Sequence, residues 1–306
     1  MSKLVLHHYD ASPFSEKIRK VLAHKGVPWY GVVQPNVMPK PDLLPLTGGY
    51  RRIPVLQVGA DVYCDSQLIA RTLERLYPEP TLYPGASEGT AHAWSLWADR
   101  LLFLQTVAIV FAEIGALVPP AFIADRTKMM PGRDFAAVPK EAPHAREQVR
   151  GMLALLEAQL ADGRTHLLGP AFSLADAACF HPLWFLRVAP QASTALGEFP
   201  GVQAWMERID RMGHGAHEAM TPGDALAIAR DAMPAPARAG ADVREPNGLT
   251  PGQRVEVVPD DYGFDPVAGE IVSTSAHDIA IRRRDPALGE VVVHFPRIGF
   301  RVQRAG

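Results

Sequence analysis

The sequence predicts a chain in three parts: an α/β domain over residues 1–84, an all-helical domain over 88–232 and a small β domain over 247–306, joined to the rest by a linker at 233–246. Three observations predict this division. Strand and helix patterns alternate in the first part, the second part carries only the helical period, and in the third the apolar period falls to two.

The first part opens with Leu4-Val5-Leu6, a short apolar run that reads as a buried strand over 3–7. A helix over 13–25 follows, with Phe14, Ile18, Val21 and Leu22 on one face and Gly26 as its stop. Ser12 stands between them with Pro13 at the first helical position, the signature of an N-cap. That arrangement aims a hydroxyl and several free backbone N–H groups at one point, which suits an anion such as a thiolate. Strands are expected near 29–33, 54–58 and 61–64, and a helix over 66–76 closed by Pro78. Residues 34–50, rich in Pro and Gly, are expected to form a loop over the site.

In the middle part, Trp94, Trp97, Leu101, Leu104 and Ala108 mark one helical stripe. Val149, Met152, Leu153, Leu156 and Leu160 mark another, ended at Gly163. Ser173 to Asp176 is a capping-box variant opening a helix that Pro182 should kink, and its role is structural. Beyond the proline-rich 233–246, the pairs Val255/Val257, Ile279/Ile281, Val291/Val293 and Phe300/Val302 alternate between Gly, Pro and Asp turns. About five short strands curling into an SH3-like barrel account for that pattern.

Composition narrows the function classes. The 306 residues suffice for two or three domains, and 47% hydrophobic with 21% charged residues is ordinary for a soluble globular chain. No apolar run of membrane-spanning length is apparent, and Met1-Ser2-Lys3 leads straight into a strand without a signal-peptide pattern, so a cytoplasmic protein without a membrane partner is expected. Cys64 and Cys179 stand in unrelated contexts and suggest neither a disulfide framework nor a metal site. His7-His8 resembles a metal pair, but adjacent strand residues point to opposite faces. Residues 1–84 carry 10 basic against 7 acidic side chains (+3), residues 85–246 carry 14 against 18 (−4), and 247–306 carry 7 against 8 (−1). Such a balance suits a small anionic ligand and lacks the concentrated basic face of a nucleic-acid binder. The run Arg282-Arg283-Arg284 reads as a solvated strand edge.

Three motifs in order, Ser12-Pro13-Phe14, Arg52-Ile53-Pro54-Val55-Leu56 and Asp65-Ser66, resemble the glutathione transferase family over residues 3 to about 232. The resemblance implies a thioredoxin-like first domain followed by a helical domain, usually assembled as a homodimer. It also implies that Ser12 activates the thiol of glutathione as hydrogen-bond donor, that Ile53-Pro54 is a cis pair holding the peptide, and that Asp65 and Ser66 bind the γ-glutamyl end. Arg52, or Lys40 in the loop, would meet the glycyl carboxylate. Tyr9 at the strand end and Ser15 in the first helical turn are alternative thiol donors. Cys64 could lie close to bound glutathione, though buried strand cysteines are commonly inert. Phe14, Phe111 and Ile114 are candidates to line an apolar pocket for an electrophilic second substrate. The expected co-substrate is glutathione, without a metal. A disulfide exchanger is disfavoured because that chemistry wants cysteine where Ser12 stands. A glutathione-fold protein without turnover, acting through its β tail as a binding or assembly module, is the alternative reading. The family does not carry the tail and implies nothing about it.

Overall fold

A computed structural model describes residues 3–135, 137–236 and 244–305. Its first part runs β1 (Leu4–His8), α1 (Pro13–Lys25), β2 (Trp29–Val33), α2 (Leu44–Thr47), β3 (Val55–Val58), β4 (Asp61–Cys64) and α3 (Ser66–Leu76). Strand β1 is central, parallel to β2 and antiparallel to β3, which pairs antiparallel with β4. This is the thioredoxin-like order that the motifs implied. Leu4 and Leu6 point to the side covered by α1 and α3, together with Ile18, Val21, Leu22 and Ile69. Alternation then sends Val5 to the opposite face.

The helical part comprises α4 (Glu88–Trp97), α5 (Phe103–Ile114), α6 (Pro120–Met129), α7 (Ala142–Leu160), α8 (Leu174–Leu186), the short α9 (Pro190–Ser193) and α10 (Pro200–Asp210). A π-helical turn over Ala98–Leu102 joins α4 to α5. The resulting continuous helix, Glu88–Leu117, is long and apolar enough to cross a membrane by length and composition, which corrects the sequence expectation that no such run exists. In this fold it packs against α7 and α8, burying Ala98, Leu102, Thr106 and Ala108. Helix α8 passes through Pro182 and starts with the expected capping box at Ser173 and Asp176. Asp176 also accepts from Leu167 N–H and from Trp205 Nε1, so its work is structural.

Two features depart from a simple three-part reading. Strand β5 (His217–Ala219) and α11 (Pro222–Asp231), at the end of the supposed helical part, return to the first. β5 pairs parallel with β2, and α11 covers the Val5 face through Ala225 while its Ala225 carbonyl accepts from Gln57. The tail is the second. Its strands β6 (Arg254–Pro259), β7 (Val267–Thr274), β8 (Asp278–Asp285), β9 (Gly289–Pro296) and β10 (Phe300–Arg304) are ordered β10-β6-β7-β8-β9, as an SH3-like barrel requires. Yet β9 also runs parallel to β4, with Asp61, Val62 and Tyr63 opposite Val292, Val293 and His294, so one ten-stranded sheet spans both parts. Their cores merge: Tyr50, Val55, Val62 and Cys64 share a cluster with Val257, Ile281, Val293 and Phe295. The tail is therefore built onto the edge of the first sheet rather than hung from a linker. Of the linker expected at 233–246, residues 237–243 lie outside the described residues.

The arginine run also departs from its expected solvated state. Arg282 is exposed between Glu270 and Glu290, but Arg283 turns inward, bonding the Pro45 carbonyl of α2 and pairing with Asp285. Gly48, in the left-handed region at φ 72°, has no room for a β-carbon because the Arg283 side chain lies 2.5 Å from where it would sit.

Candidate active site

Helix α1 begins as the sequence required. Ser12 is in extended conformation (φ −81°, ψ 116°), Pro13 occupies the first helical position, and the Ser12 Oγ accepts from Ser15 N–H at 3.2 Å. That bond uses an oxygen lone pair and leaves the hydroxyl proton free to donate. Ser12 opens onto a cavity of about 320 Å³ between the first part and the helical part, bordered also by Tyr9, Phe14, Lys40, Arg52 and Ile53. The Ser15 hydroxyl is buried without a partner and does not border that cavity. Tyr9 does border it, so of the two alternative donors only Tyr9 shares the space. Ile53-Pro54 is cis, and Ile53 contributes to the cavity wall.

Asp65 and Ser66 open α3, and neither borders that cavity. Asp65 holds φ 74°, ψ 134° and caps the helix by accepting from Gln67 N–H at 2.9 Å. A non-glycine residue there is strained by roughly 1–3 kcal/mol, the kind of strain that concentrates at functional positions. Burial pushes its carboxyl above the ordinary value, although the Gln67 N–H, Arg52 and Lys17 pull the other way. The Ser66 Oγ is engaged by a residue that the sequence reading passed over. Lys17, wholly buried, donates to Ser66 Oγ at 3.3 Å, to Ser95 Oγ at 2.9 Å and to Asp99 Oδ2 at 2.6 Å. Asp99 sits in the π-helical turn, a common site of functional side chains, and accepts from His181 Nε2 at 2.9 Å. Burial alone would push the Asp99 carboxyl up, but Lys17 and His181 hold it below the ordinary range. Burial drives the His181 imidazole down towards the neutral form despite Asp99. The network is thus one ion pair, Lys17 with Asp99, buttressed by neutral donors. A lysine on the apolar face of an amphipathic helix was the signal that could have revealed it.

The other flank is cationic. Lys40 donates to the Pro35 carbonyl at 2.5 Å, and burial, reinforced by Arg126, lowers its pKa to about 8. Arg51 and Arg126 both pair with Asp125, so three cations face one carboxylate there among the described residues. Arg52 does not face this group. It is bound to the Asp261 carboxylate and the Tyr262 carbonyl of the tail, with its guanidinium 3.8 Å from the Tyr262 ring centre. Sequence reasoning could not have placed the tail here.

The far wall is apolar. Phe14, Phe103, Phe111, Ile114 and Phe122 line it, with Phe14 stacked edge-on to Phe103 at 4.8 Å. Cys64 and Cys179 are free and buried, and burial pushes both thiols up, so neither is poised as a nucleophile. His7 and His8 diverge as expected: His7 bonds Gln57 and Gln34, and His8 contacts Arg19 and Trp29.

A thioredoxin-like domain with Ser12 at a cleft beneath a helical domain, cis-Pro54 next to the Ile53 of its wall and Asp65-Ser66 at the start of α3 defines the glutathione transferase class. Comparison with known proteins agrees. The model of the glutathione S-transferase N-terminal domain matches residues 6–81, and that of the C-terminal domain matches residues 122–208. A solved GST-like protein from Pseudomonas syringae is 37% identical, with a TM-score of 0.83 and 100% of both chains covered. The chain belongs to the glutathione S-transferase family. Glutathione S-transferase III in its apo form is 23% identical with a TM-score of 0.54, covering 76% of this chain and 100% of that one. The β-etherase LigF of Sphingobium sp. strain SYK-6 is 20% identical with a TM-score of 0.55, covering 69% of this chain and 96% of that one. These last two share the fold of the first two parts. The Pseudomonas syringae protein spans the tail as well. No curated protein sequence matches.

Proposed function

We propose that the protein is a glutathione transferase that uses Ser12 to hold the glutathione thiolate and passes it to an apolar electrophile. The observation that carries this reading is the Ser12 cap, whose hydroxyl proton stays free at the N-terminus of α1 beside the cavity. A free thiol of pKa ~8.5 is only a few per cent ionised at neutral pH, and lowering it by about two units requires about 2.7 kcal/mol of preference for the anion. A hydrogen bond to a charged sulfur supplies roughly 1.5–3 kcal/mol. The α1 N-terminus adds roughly 0.3–1 kcal/mol, up to ~2 where partly buried. The two together suffice, so Ser12 acts as donor without a partner base.

Glutathione would lie with its sulfur at Ser12, its peptide along Ile53-Pro54 and its γ-glutamyl end at Asp65-Ser66. The Lys17 ammonium supports that last assignment: it donates to Ser66 Oγ and so leaves the Ser66 proton for a ligand carboxylate. Lys40, with Arg51 and Arg126 beside it, is better placed for the glycyl carboxylate than Arg52, whose charge Asp261 already balances. The aromatic wall suits a hydrophobic acceptor. A homodimer built from the first two parts, acting in the cytoplasm, completes the proposal.

Ser12→Ala tests it. Glutathione binding should persist by calorimetry, while turnover with a chloronitrobenzene falls about 10- to 1000-fold, the range for one lost transition-state donor. Unchanged turnover would move the role to Tyr9. Glutathione binding without turnover in the wild type would favour the non-catalytic binding reading.

A further inference from the structure

Arg52 immediately precedes the cis pair, and the structure gives it a partner from the other end of the chain. The β6–β7 loop, Asp260 to Phe264, bridges the first part and the helical part, with Tyr262 at the cavity wall. At one side Arg52 is bound by Asp261 and Tyr262. At the other, Gly263 N–H donates to the Met129 carbonyl at 2.6 Å and Asp260 pairs with Arg100 at 3.2 Å. The base of the loop is fixed too, since Asp260 N–H donates to the Gly299 carbonyl at 2.9 Å.

We propose that this loop is a wall of the glutathione cleft, with Tyr262 a positioning residue for the tripeptide and Asp261 the counter-ion that fixes Arg52 behind Ile53-Pro54. The inference rests on the glutathione reading of the cavity. Two further observations carry it. Tyr262 borders the same cavity as Ser12 and Ile53. Burial raises the Tyr262 phenol to about 12; Arg52 opposes this, while the Asp261, Asp65 and Asp99 carboxylates add to it, so the ring sits within the field of the acid that opens α3. Tyr262 therefore shares the cavity with Ser12 and with Ile53 of the cis pair, its ring lying over the Arg52 guanidinium. Arg52, paired internally, then acts as a brace rather than a ligand contact, and the cleft selects a peptide that fits beneath the Tyr262 ring.

The test uses the full chain with Tyr262→Ala, Tyr262→Phe and Asp261→Asn, titrated with glutathione by calorimetry and assayed with a chloronitrobenzene. Tyr262→Ala should raise Kd and KM for glutathione about 5- to 20-fold with kcat at saturation within about two-fold, because the ring holds peptide and not sulfur. Tyr262→Phe, which keeps the ring over Arg52, should stay within about two-fold of wild type, and Asp261→Asn should raise KM several-fold. Should Tyr262→Ala melt below the assay temperature, Asp261→Asn decides the matter. Unchanged affinity overturns the proposal. Tighter binding overturns it as well, by making the loop a plug that glutathione must displace. Failure of the wild type itself to bind glutathione would bring down the transferase reading and, with it, this one.

Discussion

At the scale of single residues, the site depends on which hydroxyls keep a proton to give. Ser12 and Ser66 are alike in this: each oxygen accepts from a fixed donor, Ser15 N–H or Lys17 Nζ, and each keeps its own proton to donate. Ser66→Ala should weaken glutathione by roughly 1–3 kcal/mol, read by calorimetry, since it strands one charge-assisted contact. Equal affinity would reduce Ser66 to a helix residue supporting Lys17. Lys17→Met removes the cation from a buried pair and leaves Asp99 facing only neutral donors, so stability should fall by roughly 3–5 kcal/mol in urea unfolding. A loss under about 1 kcal/mol would mean that water reaches Asp99.

At the scale of elements, α1 is the structural centre, since its N-terminus holds Ser12 and its buried flank ties it to distant chain. Glu16 pairs with Arg19 at 2.8 Å and Lys20 at 3.5 Å and accepts from His214 at 2.9 Å, just before β5. Burial would push the Glu16 carboxyl up, yet His214, Arg19 and Lys20 bring it down to about 2. A carboxyl lowered on folding contributes stability that is complete above its ordinary pKa of 4.5 and is lost as pH falls towards about 2. Acid unfolding should therefore steepen below pH ~4.5, and Glu16→Gln should flatten that limb by roughly 2–4 kcal/mol. An unchanged acid limb in the variant would show that Glu16 keeps its ordinary pKa in the folded chain.

Much of this was legible because it is local. Ser12-Pro13, the apolar face of α1 and the Gly26 stop announce themselves by spacing, as does the two-residue period of β6 to β10. What was not legible is long-range. Nothing in His217–Ala219 announces that it will pair with β2, since all three residues are exposed and the strand is short. The helical expectation for 88–232 ran past that point because α11 has an ordinary helical pattern and only its destination differs. Asp261 and Tyr262 look like turn residues until the fold carries them some two hundred positions back to Arg52.

At the scale of the whole molecule, the tail and first part share one sheet and one core. Removing it would expose the β4 edge together with Tyr50, Val55, Val62 and Cys64, now covered by Val257, Ile281, Val293 and Phe295. It would also release Arg52 from Asp261 and His294 from Asp61, which it meets at 2.8 Å. A chain ending at Arg238 should accordingly aggregate or melt well below the full protein, since an open edge and an uncovered apolar face both favour association. Size-exclusion chromatography and thermal melting of the two forms check this. A monodisperse truncated protein with wild-type glutathione affinity would show that the shared sheet is dispensable, and would restore the tail to an independent domain.

The central claim is that the Ser12 cap makes bound glutathione a thiolate at neutral pH, and the ultraviolet absorbance of the thiolate in the enzyme–glutathione complex measures it directly as pH is varied. The account predicts an apparent thiol pKa of about 6.5 in the wild type, about two units below that of a free thiol, returning towards ~8.5 in Ser12→Ala. A bound thiol that titrates near ~8.5 in the wild type, or a lowered value that survives Ser12→Ala, would contradict it.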